Sequence, residues 1–195
     1  VGTPSTHTRS ALGGLDGRGL RAGDTLPIAG AMARAGAPER LLTPWLARPT
    51  DLIRAVLGPQ DDYFSAEQNE VFRQGPWTVS PRSDRMAFRL DGPRLTHARG
   101  FNIISDGIAM GSIQVPGDGQ PLALMADRQS TGGYPKIATI IAPDVGRLAQ
   151  LRPNQPVRFE TVSVADAVAA RRAEADALAA PMETEPVIRR EFPSE

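Results

Sequence analysis

RGFNIISDGIAMGSIQVPGDGQPLALMADRQSTGGYPKIATII, residues 99–141, concentrates the most unusual backbone and polar chemistry of the chain in one run. Four short apolar stretches, 101–104, 113–115, 122–126 and 137–141, alternate with the polar turns Ser105-Asp106-Gly107, Pro116-Gly117-Asp118-Gly119-Gln120 and Ser130-Thr131-Gly132-Gly133. Apolar runs this short, punctuated by glycine-rich turns, predict strands carrying loops. Such loops gather Asp, Gln, Arg, Tyr and Lys side chains at strand ends, and their glycines let backbone N–H groups come close to a ligand.

Composition sharpens the reading. Of the 22 basic residues 21 are Arg, and the one lysine is Lys136. If charge alone were needed there, Arg would be the expected residue. A compact ammonium is not interchangeable with a guanidinium fork, so the exception points to chemistry or a tight pocket at Lys136; the plainer reading is an accident of composition.

At these residues the chain resembles a known family. The runs 104–107 (ISDG), 111–121 (GSIQVPGDGQP) and 126–139 (ADRQSTGGYPKIAT), with 58–64 (GPQDDYF) and 83–86 (SDRM) upstream, are similar to the allophanate hydrolase subunit 2 family. That family includes the C subunit of 5-oxoprolinase, the antagonist of a sporulation-kinase inhibitor and the carboxyltransferase domain of urea carboxylase. The likeness covers roughly residues 1–163. Many short strands and only short helices already argue for a mostly β domain; the resemblance implies a cyclophilin-like β-barrel with a few short helices and a C-terminal helix.

The resemblance also implies a function. It makes the chain the C subunit of an ATP-dependent 5-oxoprolinase, an amide (lactam) hydrolase that converts 5-oxoproline to glutamate with partner subunits and is inactive alone. The partners implied are an allophanate hydrolase subunit 1-like chain (the 5-oxoprolinase B subunit) and the 5-oxoprolinase A subunit. ATP is used by the complex, its site on this or another subunit; the sequence carries no P-loop, ATP-grasp pattern or biotin-attachment segment. Two alternatives stay open: biotin-dependent carboxyl transfer to urea or a similar amide, with biotin as cofactor, and a non-catalytic regulator that binds a kinase-inhibitor-like partner.

Lys136, Asp106 and Gln114 are the expected catalytic residues, because polar donors and an ammonium stabilise charge developing on a lactam oxygen. Arg85, Gln120, Arg128, Gln129, Gly132, Gly133 and Tyr134 are the expected substrate-binding residues. Gly132-Gly133 permits close backbone approach, Pro135 holds Tyr134 extended, and a guanidinium such as Arg85 matches a carboxylate bidentately. The plainer alternatives are that Asp106 caps its own Ser-Asp-Gly turn and that Arg85 and Arg89 lie on a solvated strand face.

Other features exclude or bound. Twenty-two acidic against 22 basic residues remove the charge footprint of a nucleic-acid binder. With no cysteine there is no disulfide, thiol catalysis or Cys-ligated metal, and His7 and His97 lack metal-ligand spacing, so no metal site is expected. No apolar run approaches the ~20 residues that span a bilayer, and no secretion signal is visible, which makes a cytoplasmic protein the expectation.

The chain starts at Val1, and residues 1–27 resemble the middle of the family pattern, so a fragment lacking an N-terminal half is expected, with open strand edges that favour self-association. The glycines at 13–19 lack the phosphate-loop order and read as a plain loop. Residues 1–50 are then the remnant of a preceding domain plus a linker (29–44), 51–163 a β-barrel carboxyltransferase-like domain, and 164–195 a C-terminal helix with a mobile tail.

Within the barrel, strands are expected at 51–57, 77–80, 85–90 and 156–162, with Met86, Phe88 and Leu90 facing the core. Ser65-Ala66-Glu67-Gln68 has capping-box spacing and predicts a helix with Val71 and Phe72 buried, stopped by Gly75-Pro76. A short helix is expected at 144–151. A second capping box, Ser163 to Asp166, opens an Ala-rich helix over 164–180.

Overall fold

The computed structural model describes residues 5–26, 39–41, 51–179 and 184–186. The chain divides into two compact units, Val1–Glu39 with Pro186–Glu195, and Arg40–Glu185. The expected linker lies outside the described residues except for 39–41, as does the expected tail except for 184–186.

In the first unit Thr6–His7 pairs antiparallel with Leu12–Gly13 around a single 3-10 turn. A Cβ on Gly17 would stand 2.2 Å from the carbonyl carbon of Ala11, and its φ of +64° suits glycine, so this glycine packs a tight turn. Arg18 fastens the turn with two 2.8 Å hydrogen bonds to Asp24.

The second unit is built on a closed barrel. Its strands in chain order are β1 (Leu52–Leu57), β2 (Trp77–Val79), β3 (Ala87–Asp91), β4 (Ser112–Gln114), β5 (Leu122–Leu124), β6 (Lys136–Ile140) and β7 (Pro156–Thr161). Neighbours run β6-β1-β7-β2-β3-β5-β4 and back to β6. All pairs are antiparallel except β7 with β1, so the barrel is mixed. The mostly β barrel read from the sequence is the fold observed. Because the sheet closes on itself it has no free edge, and the open-edge argument for self-association does not apply to it.

The side-chain alternation of the strands fills the interior. Ile53, Trp77, Leu90, Ile113, Ala123 and Val157 are all fully buried there. One end of the core is covered by α1 (Ala66–Gln74), whose Phe72 stacks on Phe159 of β7 with ring centroids 4.6 Å apart. The Trp77 indole N–H donates to the Phe72 carbonyl at 2.8 Å, which satisfies the polar end of a buried aromatic.

Both capping serines act as expected. Ser65 Oγ accepts from the Gln68 N–H at 3.2 Å, but the Gln68 side chain does not reach back: its oxygen accepts from the Thr96 N–H at 2.9 Å, tying down a loop instead. The second box is reciprocal, Ser163 Oγ accepting from the Asp166 N–H and the Asp166 carboxylate accepting from the Ser163 N–H. It opens α3 (Val164–Ala179), on which no side chain is fully buried.

Three expectations are corrected. Residues 101–104 form no strand, and Ile104 is 93% exposed; the local pairing is instead a two-residue ribbon of Asp106–Gly107 with Thr131–Gly132. Met86 precedes β3 and is exposed rather than inward-facing. The helix expected at 144–151 is α2, Ala142–Leu148, begun two residues earlier by the Pro143 turn and carrying a fully buried Asp144. Asp144 is held by Arg54 of β1, whose Nε and Nη2 donate to its two oxygens at 2.9 and 2.8 Å while the Arg54 backbone N–H donates at 2.8 Å.

Candidate functional site

The first residue of β6 is Lys136, paired opposite Gln114 at the end of β4. The register shifts between Lys136 and Ala138, and a bulge of this kind re-aims side chains at a barrel rim. Lys136, Ile137 and Ala138 are consequently all buried, although they are consecutive in a strand.

Only 2% of the Lys136 side chain is exposed. Its ammonium donates to Asp106 Oδ2 at 2.6 Å and to the Gly107 carbonyl at 3.0 Å. The other Asp106 oxygen accepts from the Gly107 N–H at 2.7 Å, so the aspartate both caps its own turn and pairs with the lysine. Asp106 is itself 53% exposed, which places a buried cation beneath a carboxylate that faces solvent. The Lys136 ammonium, with the Gly107 N–H second, holds the Asp106 carboxyl below the usual carboxylate range.

The ribbon sets Gly132 opposite Asp106. A Cβ on Gly132 would lie 2.7 Å from Ile108 Cδ1, 2.8 Å from Gln114 Nε2 and 3.6 Å from Gln129 Nε2. The missing side chain therefore makes room for the Gln114 carboxamide, while the Gln129 carboxamide lies at ordinary contact distance. Gln114, buried, donates to the Tyr134 carbonyl at 3.4 Å, and the Tyr134 ring is part exposed. Gly133 is fixed by the Ile103 N–H, which donates to its carbonyl at 2.8 Å.

Sequence reasoning did not single out Gln60 as a site residue. Its N–H donates to the Lys136 carbonyl at 3.0 Å, and its side-chain oxygen accepts from the Lys136 N–H at 3.1 Å. The one sequence signal for it was its place in the GPQDDYF run.

The structure thus brings Lys136, Asp106, Gln114, Gln129, Gly132, Gly133 and Tyr134 together. Arg128 lies one layer back, donating to the carbonyls of Ile108 and Met125, and so steadies the residue that packs on Gly132. Gln120 directs its amide to the Gly92 carbonyl, within a turn closed by Asp118. Arg85 is 76% exposed and makes a bidentate pair with Asp127. The hydrogen bonds of Gln120 and Arg85 go to these residues and not to the Lys136 cluster. A surface depression of about 390 Å³ lined by Glu67, Glu70, Val71, Gln74, Gly75 and Pro93 contains none of these side chains.

A closed barrel with a buried ammonium, a carboxylate and converging carboxamides at one rim is a polar site fit to bind a carbonyl or carboxylate group. The profile described as carboxyltransferase domain, subdomain A and B, matches residues 1–161, and the chain belongs to that family. It is 39% identical over 176 residues to the 5-oxoprolinase C subunit of Escherichia coli K12, covering 88% of this chain and 54% of that protein. To the 5-oxoprolinase C subunit of Haemophilus influenzae it is 40% identical over 168 residues, covering 86% and 53%. Its fold matches the crystal structure of the Kluyveromyces lactis urea amidolyase with a TM-score of 0.67 and 25% identity, over 91% of this chain and 12% of the amidolyase. The chain spans about half the length of the curated 5-oxoprolinase subunits it matches. No described helix is long and apolar enough to cross a membrane.

Proposed function

We propose that this chain contributes to an ATP-dependent 5-oxoprolinase as the counterpart of its C subunit, opening the lactam of 5-oxoproline together with A-type and B-type partners. The observation that supports this reading most directly is the 39–40% identity to two 5-oxoprolinase C subunits across nearly nine-tenths of the chain, against 25% to the urea amidolyase structure. The site chemistry suits the task. A lactam is an unreactive amide, and its opening builds negative charge on the carbonyl oxygen. Lys136 spends two of its three N–H groups on Asp106 and Gly107, leaving the third for a ligand oxygen.

Partial shielding of that ammonium from water strengthens its effect on the developing charge. Gln114 and Gln129, each carrying donor and acceptor on one planar group, match the two faces of an amide: the N–H and the C=O. ATP would supply activation of the lactam oxygen, and these residues would bind and orient the lactam. The reading is tested by combining the protein with candidate A-type and B-type partners and measuring ATP hydrolysis that depends on 5-oxoproline. Hydrolysis that rises with 5-oxoproline only when this chain is present is the expected result.

A second reading, carboxyl transfer from biotin to urea or a similar amide, draws on the family itself and on the fold shared with urea amidolyase. The same carboxamides and ammonium fit a ureido ring. Biotin would supply the carried carboxyl group, and these residues would only bind and orient it. Dependence of turnover on a biotinylated partner, with no response to 5-oxoproline, would favour this reading over the first.

A further inference from the structure

We propose that α3 carries a self-association face, a stripe of Val164, Val168, Ala175 and Leu178 that packs antiparallel against the same stripe of a second copy of this chain. The inference is independent of the reading of the Lys136 site.

The helix has two apolar faces and its own barrel covers one. Ala167, Ala170, Glu174 and Ala177, spaced by three and four residues, are its half-buried positions, and they mark the side laid along α2 and β1. Val164, Val168, Ala175 and Leu178 repeat that spacing roughly 100° further round the helix. There Val164 is 66% exposed, Val168 44% and Leu178 58%. Eleven of the 16 residues of α3 are Ala, Val or Leu. A helix apolar nearly all round is ordinarily a buried one, so the second face is built for a partner.

The charges choose the occupant. Arg171, Arg172 and Asp176 make no ion pair with any described residue, and Arg172 and Asp176 stand one turn apart along one flank of the stripe. Antiparallel pairing with Val168 opposite Leu178 of the second copy brings each Arg172 within about 3 Å of helix rise of the other copy's Asp176. One two-fold axis thus makes two reciprocal ion pairs from charges that are otherwise unmatched. Arg171 then falls opposite Ala175, which is small enough for the arginine stem to lie along the stripe. A parallel pair in register would instead set Arg171 against Arg171 and Arg172 against Arg172. The stripe is therefore complementary to itself in one orientation. Its overlap in this register, residues 167–179, is about 20 Å long. That belongs to the small class of interfaces, below ~1,200 Å², whose association is weak and concentration-dependent.

The composition supplies a clean test, because the chain has no cysteine. Mixed under mild oxidation, the Val168→Cys and Leu178→Cys chains are expected to form a disulfide-linked dimer, while Val168→Cys alone forms little. The opposite preference would mean a parallel pair and would overturn the proposal. Sedimentation of the full 195-residue chain should show a monomer–dimer equilibrium. Val168→Glu, at an exposed position outside the core, should weaken it about tenfold or more. Arg172→Glu and Asp176→Arg should each weaken it too, and the two together should restore it. A strict monomer at every concentration, a dimer indifferent to these changes, or a double reversal that restores nothing would overturn the assignment. So would a Val168→Cys thiol that becomes protected from alkylation only when an A-type or B-type chain is added, since that gives the stripe a different occupant.

Discussion

A methyl group placed on Gly132 would stand 2.8 Å from Nε2 of Gln114, closer than side-chain contacts come in folded proteins. The atoms in the way, Gln114 Nε2 and Ile108 Cδ1, are the far ends of flexible side chains and can move. Gly132→Ala is therefore expected to fold, at an overpacking cost of about 1–3 kcal/mol, while pushing the Gln114 carboxamide out of place. Thermal unfolding should show a modest drop in Tm, and turnover of the reconstituted complex should fall disproportionately. A large loss of stability with normal activity in the folded fraction would show that the glycine serves packing only.

Asp144 offers a contrast, because its role is structural. It is fully buried, bonded to three donors of Arg54, with Arg147 Nε 3.6 Å away. Removing one partner of a buried charge pair strands the other, which costs about 3–5 kcal/mol. Asp144→Ala should thus lower the denaturant midpoint strongly without changing the slope, and Asp144→Asn should recover part of the loss by keeping the acceptor for the Arg54 N–H. Equal effects of the two substitutions would count against the ion pair as the cause.

The pH dependence has a definite sign. The Asp106 carboxyl is held below the usual range, first by Lys136 and then by the Gly107 N–H. A group whose folded value is depressed adds stability that is fully present above its unfolded value, about 3.9 for Asp, and is lost as pH falls through the folded value. Stability curves of the parent and Lys136→Met should therefore run apart at neutral pH and draw together in acid. Curves that stay parallel down to the acid limit would show that the pair contributes nothing through protonation.

Local patterns were legible in the sequence where the physics was local. Alternation placed β1, β3 and β7, and the two capping serines marked the starts of α1 and α3. The run 101–104 misled because apolar, β-branched composition makes a strand only when a neighbour supplies a ladder. Here the backbone offers a single bond, from Ile103 to Gly133, and Ile104 is left in solvent. Gln68 departed from its capping box because the Thr96 N–H, 28 residues away, took its oxygen.

The site was legible in part for the same reason. Lys136 stood out by composition, and Asp106, Gln114 and the Gly132-Gly133 pair by lying in glycine-rich turns at strand ends. Gln60 had no comparable signal: no spacing rule sets a carboxamide 76 residues upstream against the backbone of Lys136. The bulge that buries three consecutive residues of β6 likewise depends on the partner strand, and a period-two reading cannot show it.

The most direct measurement is turnover of the reconstituted complex carrying Lys136→Met, followed as 5-oxoproline-dependent ATP hydrolysis with assembly of the complex checked in parallel. Removing one well-placed stabilising group from a developing charge costs about a hundredfold or more in rate. The account predicts intact folding and assembly, a loss of turnover of that order, and little rescue by Lys136→Arg, whose broader fork cannot reproduce the ammonium's contacts with Asp106 and the Gly107 carbonyl. Near-normal turnover in an assembled Lys136→Met complex would contradict it.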